Sequence, residues 1–312
     1  MRRLRLVIPL PLALCALLLF LACGDGKDNA NSDKGSELTT VIATSDLAVG
    51  KQRLTFVVLK GDVPVTNKPA FVRIFKGADK LPRVVAQASI PWVAIGAKEE
   101  KHDAVGHDET ELTGVYYVNA EFDEPGTWGI GVSLGDKPDE KTEMRVPFTV
   151  KPKSEAPSIG DRAIVVNNPV AGEKPLKQIH TGSDEDPQFH STSIANAISS
   201  GKPSVIAFAT PSFCRTRTCG PSLQVAIRAQ KEFGNRVNFV HVEPYELDVE
   251  GNMSKDSKGN QFLLSEAGKA WRLPTEPWVF VVNQSGTIVA RFEGPYALEE
   301  LEFVLRQLTA GG

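Results

Sequence analysis

The stretch that most constrains the fold is an apolar run that leads into two cysteines and then a helical pattern. Residues 204–209 read Ser-Val-Ile-Ala-Phe-Ala, which is typical of a strand buried on both faces. Cys214 and Cys219 follow, and a helix is predicted from about Pro221 to Phe233. The dipole at a helix N-terminus stabilises thiolate, which is the reactive form of cysteine. The stretch therefore predicts a thiol site at a strand–helix junction.

The N-terminus has the pattern of an exported protein. Three arginines within the first five residues precede an apolar segment, so residues 1–22 are predicted to be a signal peptide. The sequence Leu-Phe-Leu-Ala-Cys-Gly at its end resembles the bacterial lipobox, with Phe20 where lipoproteins usually carry leucine. The resemblance implies that Cys23 carries a lipid anchor, whereas the alternative is ordinary signal cleavage beside an incidental cysteine. Residues 23–37 are polar and are predicted to be a flexible tether.

Length, composition and charge narrow the class of protein. The 312 residues are enough for about two domains, and 41% hydrophobic with 23% charged residues is typical of a soluble globular protein. The net charge is −3 and no block of lysine and arginine occurs, so a nucleic-acid partner is not expected. Together with the leader, these features predict a folded body held at the extracytoplasmic face of the cell membrane.

Residues 38–150 are predicted to form an all-β domain. Apolar and polar residues alternate in short runs separated by turn signals, which is typical of a β-sandwich. The runs are 53–60, 70–75, 114–122, 127–134 and 144–150. The segment 114–132 resembles the last hairpin of the immunoglobulin-like domains found on bacterial surfaces, and this resemblance implies an immunoglobulin-like sandwich.

Two histidines in this half are candidate metal ligands. His102 and His107, with acidic neighbours, could ligate copper or zinc. Five residues apart, however, their side chains would lie on opposite faces of a strand and off one face of a helix. A solvated acidic loop is therefore the favoured interpretation.

Residues 151–158 are rich in proline and charge and are predicted to be a linker between two domains. Residues 159–312 then give a short helix, the buried strand, the cysteines with their helix, a second buried strand, another helix, a hairpin and a final helical stripe. This order resembles the thioredoxin fold. The predicted fold class is thus an immunoglobulin-like β-sandwich followed by an α/β thioredoxin-like domain.

The resemblance to thioredoxins implies a role for three residues. Cys214 and Cys219 would be the redox-active pair, and Pro277, which precedes a hydrophobic hairpin strand, would be the family's cis-proline beside the cysteines. The implied activity is thiol–disulfide exchange with protein thiols or disulfides as partners. No cofactor is implied.

The chain departs from the family in its cysteine spacing. Four residues rather than two separate the cysteines, and residues five apart in a helix are about 8–9 Å apart, beyond disulfide reach. Cys214 must therefore lie in a loop that folds back on Cys219. A competing alignment makes Cys219 the nucleophile of a Cys-Gly-Pro-Ser motif and Cys214 its resolving partner. Arg215 and Arg217 are predicted to lower a thiol pKa.

Two further observations leave alternatives open. Ala207 occupies the approximate position of the buried acid that thioredoxins use for proton transfer. His241 ends the second strand on the cysteine side, and thioredoxin-like copper chaperones bind metal with two cysteines and a histidine. The alternative function is therefore a non-enzymatic copper-binding or interaction lipoprotein in which Cys214 and Cys219 form a structural disulfide.

Overall fold

A computed structural model describes residues 38–77, 82–95, 112–182, 187–214 and 218–310. Within these ranges the chain has thirteen strands and four α-helices. The fold is therefore rich in β-structure and contains several sheets, as the sequence predicts. No helix in this part of the chain combines the length and the apolar character needed to cross a membrane.

The first nine strands form two antiparallel sheets that share one core. The strands are β1 Leu38–Ile42, β2 Gly50–Lys60, β3 Val63–Pro64, β4 Ala70–Lys76, β5 Arg83–Ile90, β6 Val93–Ala94, β7 Gly114–Phe122, β8 Gly126–Leu134 and β9 Met144–Val150. One sheet has the order β1-β2-β7-β6 with β3 also on β2, and the other has the order β5-β4-β8-β9. A single hydrophobic cluster takes Phe56 and Tyr116 from the first sheet and Val72 and Ile130 from the second. Alternating side chains thus bury one face of each sheet.

The rest of the chain builds a mixed sheet with helices on both faces. Its elements are α1 Ile194–Ser199, β10 Ser204–Phe208, α2 Cys219–Phe233, β11 Asn238–Val242, α3 Glu266–Trp271, β12 Trp278–Val282, β13 Ile288–Glu293 and α4 Leu298–Thr309. The strand order is β11-β10-β12-β13, in which β10 and β11 are parallel and the other neighbours antiparallel. Short 3-10 helices at Leu176–Gln178 and Pro187–His190 precede α1.

Strand β10 is buried on both faces because each face packs against a separate core. Val205 and Ala207 belong to the cluster that includes residues of α2 and α4. Ile206 and Phe208 belong to the cluster that includes residues of α1 and α3. This double burial explains why the strand is uninterruptedly apolar in sequence.

A buried polar network joins the two halves of the chain. The Asp46 carboxylate accepts hydrogen bonds from the backbone N–H groups of Glu155 and Ala156, at 3.1 Å each, and from the Ser154 hydroxyl. Arg291 of β13 donates to the Ser154 hydroxyl at 2.6 Å and lies 3.7 Å from the Asp46 carboxylate. Burial would raise the pKa of Asp46, but these hydrogen bonds outweigh it and keep the pKa below its ordinary value. The segment 151–158, predicted to be a linker, is therefore pinned at this network.

A second set of contacts supports the same junction. Arg53 of β2 forms a bidentate ion pair with Glu300 of α4, in which its Nε and Nη2 donate to the two carboxylate oxygens at 2.7 and 2.8 Å. Glu293, at the end of β13, accepts hydrogen bonds from the backbone N–H groups of Ser45 and Asp46. Because both ion-pair side chains are about 10% exposed, they are better shielded from solvent than a surface pair.

We predict that Asp46→Ala lowers the free energy of unfolding by about 3 kcal/mol, since it leaves Arg291 buried without its compensating charge. Chemical denaturation measures the loss. Asp62→Ala, which removes an exposed carboxylate from the β2–β3 turn, is the matched control and should change the stability by less than about 0.5 kcal/mol. Equal losses in the two variants would contradict the assigned role of the network.

Candidate functional site

The cysteine pair lies where β10 ends and α2 begins. Cys219 is the first residue of α2, and Cys214 lies in the preceding loop, which folds back so that Cys214 Sγ accepts the backbone N–H of Cys219 at 3.3 Å. Both side chains pack with Ala209 in a small cluster of their own. No disulfide joins the two cysteines in this structure. The arrangement places two thiols side by side at the end of a rigid strand.

The two thiols differ in their environment. Cys214 is 9% exposed, whereas Cys219 is completely buried. Burial raises the pKa of Cys219 above its ordinary value and the neighbouring Cys214 raises it further, which a backbone hydrogen bond with Thr210 only partly offsets. Cys219 is therefore held as a thiol in the resting protein, and Cys214 is the less buried residue of the pair.

Pro277 lies at the same edge of the sheet as the cysteines. It directly precedes β12, which pairs with β10 so that Trp278 faces Phe208. The Glu276–Pro277 peptide bond is cis. Arg215 and Arg217, predicted to lower a thiol pKa, lie outside the described residues, as does Cys23.

An acidic side chain that the sequence analysis did not consider lies near the thiols. The Glu276 carboxylate accepts a hydrogen bond from the Tyr245 hydroxyl at 3.0 Å, and burial raises its pKa. Its negative charge is one of the influences that raise the pKa of Cys219. Tyr245 belongs to the polar stretch 243–261, which lacks a helical or strand pattern, so no local pattern links it to the cysteines.

Three histidines meet beside this site. His180 follows the first 3-10 helix, His190 ends the second, and His241 lies in β11 directly opposite Ala207 of β10. All three are at least 95% buried. His241 Nδ1 lies 3.3 Å from His180 Nδ1 and 3.4 Å from His190 Nε2. The three rings thus direct one nitrogen each toward a common point.

The environment keeps the imidazoles of His190 and His241 neutral. His241 Nε2 lies 2.9 Å from the carbonyl oxygen of Ala209, to which it can only donate, so its Nδ1 carries a lone pair when the ring is neutral. Burial, reinforced by the neighbouring histidines, moves the pKa of His241 well below its ordinary value. Burial also lowers the pKa of His190 to about 4, with His180 adding to the effect. Neutral imidazole is the form that binds metal ions.

Glu243 connects the histidines to the cysteine loop. Its Oε1 accepts the backbone N–H and the hydroxyl of Thr181, at 2.8 and 2.6 Å. The same Thr181 hydroxyl accepts the backbone N–H of Ser212, in the loop before Cys214, at 3.3 Å. Burial raises the pKa of Glu243 to about 7, which the Thr181 hydrogen bonds moderate.

The structure does not gather the metal ligands that the sequence suggests. Within the described residues, His180, His190 and His241 are the one group of three ligating side chains whose donor atoms lie within 4.8 Å of one another. His241 is therefore grouped with two other histidines rather than with the cysteines. His102 and His107 lie outside the described residues. Spacings of 10 and 51 residues give no local motif, so only the folded chain brings this cluster together.

Comparisons with known proteins leave the site unassigned. No protein-family model matches the chain, and no curated protein matches it. A structural match is found with a protein from Thermotoga maritima described provisionally as a superoxide reductase, at 11% sequence identity and a TM-score of 0.22, covering 39% of this chain and 90% of that one. A likeness this weak carries no argument about fold or chemistry.

We predict that Cys214 reacts with iodoacetamide much faster than Cys219 in the reduced protein. Each unit of pKa difference changes the thiolate fraction about tenfold, and burial adds a steric barrier, so we expect a ratio of at least about ten. Mass spectrometry of Cys219→Ser and Cys214→Ser, each carrying one thiol of the pair, measures the two rates. Equal rates, or a faster Cys219, would favour the alignment in which Cys219 is the nucleophile.

Proposed function

We propose that this protein is a membrane-anchored, extracytoplasmic thiol–disulfide oxidoreductase that acts through Cys214 and Cys219. The observation that carries the proposal is the geometry of the pair. One cysteine is fully buried at the first residue of α2, and the other, 9% exposed, lies in the loop that folds back onto it. A pair of this kind can form a bond with a partner's sulfur and then release it.

We further propose a thioredoxin-like fold for the half that carries the pair. Support comes from a sheet of order β11-β10-β12-β13 with one parallel pair, with helices on both faces, and from cysteines at the end of the inner strand β10. Pro277, across from the end of β10, occupies the position that the resemblance gives to the family's proline. For the first half, two antiparallel sheets around one core support an immunoglobulin-like sandwich.

The proposed reaction has two steps. In the first, the Cys214 thiolate attacks a partner's disulfide, forming a mixed disulfide and releasing one partner sulfur as thiolate. In the second, Cys219 loses its proton and attacks Cys214 Sγ, which releases the partner's second sulfur and leaves a Cys214–Cys219 disulfide. Two electrons pass from the pair to the partner. The reverse sequence would oxidise a partner dithiol, and neither direction requires a cofactor.

The unequal environments of the thiols suit these roles. The less buried Cys214 would meet the partner, while the fully buried Cys219, with a raised pKa, stays protonated until the mixed disulfide forms. The backbone N–H of Cys219 donates to Cys214 Sγ, and a hydrogen bond to sulfur favours its thiolate form. Glu276 opposes ionisation of Cys219 but also repels negative charge on Cys214, so it does not by itself distinguish the two thiols.

The proposed location follows from the leader and Cys23. A diacylated Cys23, followed by the polar tether 23–37, would hold the folded body near a membrane surface. The proposed partners are therefore exported proteins that carry thiols or disulfides. The N-terminal sheets would position the thiol domain or bind the partner.

We predict that Cys219→Ser traps partners as mixed disulfides, because the resolving sulfur is absent, whereas Cys214→Ser traps none. A small disulfide reagent or a scrambled disulfide protein serves as the partner, and non-reducing electrophoresis with mass spectrometry locates the adduct. The double variant is the control for background exchange. If neither single variant forms an adduct while both remain folded, the pair forms a purely structural disulfide. The protein would then be a non-enzymatic interaction lipoprotein.

A further inference from the structure

We propose that His180, His190 and His241 form a binding site for a divalent transition-metal ion of the Zn²⁺ type. This inference is independent of the thiol chemistry and uses none of its residues. It rests on the convergence of three buried ring nitrogens on one point, from two 3-10 segments and one strand that are distant in sequence.

Two of the three nitrogen–nitrogen distances match those of a tetrahedral ion. At a Zn–N distance of about 2.0–2.1 Å, two ligand nitrogens in a tetrahedron lie about 3.3–3.4 Å apart. His241 Nδ1 lies 3.3 Å from His180 Nδ1 and 3.4 Å from His190 Nε2, and all three nitrogens lie within 4.8 Å of one another. The rings are steeply tilted to each other, at 60°, 75° and 86°, so they converge rather than stack.

The orientation of His241 also suits a ligand. Its Nε2 donates to the Ala209 carbonyl, which leaves the Nδ1 lone pair facing the other two rings. A hydrogen bond from the outer ring nitrogen to a backbone carbonyl is the usual support for a metal-binding histidine, because it fixes both the tautomer and the ring orientation.

The segment that carries His180 is held firmly in place. Thr181 is bound through two hydrogen bonds to Glu243, at the end of β11. Gly182 packs so closely on the imidazole that an added Cβ would lie 2.8 Å from His180 Cε1 and Nε2. A side chain there would push the ring aside, so the glycine is needed for the observed ring position.

The surroundings include a cavity and a buried acidic side chain. The cavity, of about 260 Å³, is lined by His241 and Glu243, together with Asn168, Lys174 and Gln178. Within the described residues, Glu243 Oε2 makes no hydrogen bond although it is buried. A carboxylate there would offset part of the charge of a dication bound to three neutral imidazoles.

The site would adjoin the cysteine loop. Ala209, whose carbonyl oxygen accepts from His241, packs against both cysteines, and Thr181 accepts the backbone N–H of Ser212. A bound ion would therefore brace the segment that presents Cys214. The alternative is that the three rings form a hydrogen-bonded cluster in the core and bind no ion. The experiment must distinguish these two cases.

Titration with Zn²⁺ and Co²⁺ tests the proposal. We use the Cys214→Ser/Cys219→Ser protein, so that sulfur ligands cannot contribute, and follow Zn²⁺ by calorimetry and Co²⁺ by its visible absorption bands. One ion should bind per chain, with the strong visible absorption typical of tetrahedral Co²⁺. X-ray absorption of the Zn²⁺ form should give three imidazole nitrogens at about 2.0–2.1 Å.

Variants identify the ligands. His190→Ala, which removes a ligand, should weaken binding by more than about 100-fold. Gly182→Ala, which displaces the His180 ring without removing a ligand, should weaken it by about 10–100-fold. The matched control is His102→Ala/His107→Ala, which removes the other two histidines of the chain and should bind normally. Circular dichroism checks that each variant is folded. The proposal is overturned if the cysteine-free protein binds no ion or if the control variant loses binding equally. It is also overturned if X-ray absorption of the Zn²⁺ form shows fewer than three nitrogen ligands.

Discussion

The double burial of strand β10 is the constraint on which the site depends. All five of its residues are buried, with alternate side chains in two separate cores, so the strand cannot shift its register without moving apolar groups into water. Its C-terminal end is therefore a fixed point in the molecule. Ala209, just beyond that end, contacts both cysteines and His241, and the Thr210 backbone is hydrogen-bonded to Cys219.

The neighbours of β10 bring the remaining site residues to the same edge. The parallel strand β11 places His241 opposite Ala207, with Glu243 just past the end of the strand. The antiparallel strand β12 begins beside Phe208 and so brings Glu276 and Pro277 to the cysteines. Phe208 and Pro277, almost 70 positions apart in sequence, thus lie close together because β11 and β12 both pair with β10 in a fixed register. Position 207 carries alanine; the carboxyl group near the thiols is that of the half-buried Glu276, whereas the buried Glu243 is hydrogen-bonded to Thr181.

In the first half of the chain, sequence patterns predicted the strands that bury one face and missed a strand that is exposed along its length. The strands β2, β4, β7, β8 and β9 follow the predicted runs closely, because one face of each lies in the shared core. Strand β5 pairs with β4 at the edge of its sheet and is exposed along nearly its whole length, so no alternation marks it. Helix α3 is confined to Glu266–Trp271, since Ser265 caps its start and Arg272 adopts a left-handed conformation at its end.

The cysteine part of the candidate site could be predicted from sequence, whereas the histidine part could not. The cysteines and Pro277 lie next to strongly apolar strands, so local pattern located them. The contacts of His180, His190 and Glu243 depend on irregular segments that pack against β11, and such long-range contacts leave no periodic signal. The hydrogen-bond network around Asp46 could not be predicted from sequence either, because it joins residues from distant parts of the chain.

The reduction potential of the Cys214–Cys219 pair tests the central claim most directly. Equilibration of the protein with glutathione or dithiothreitol buffers, followed by alkylation and mass spectrometry, gives the fraction oxidised at each ambient potential. The account predicts a two-electron couple in the range of known exchange proteins, between about −270 and −120 mV. A potential below about −300 mV, together with thiols that react no faster than those of an ordinary buried cysteine, would identify a structural disulfide and contradict the account.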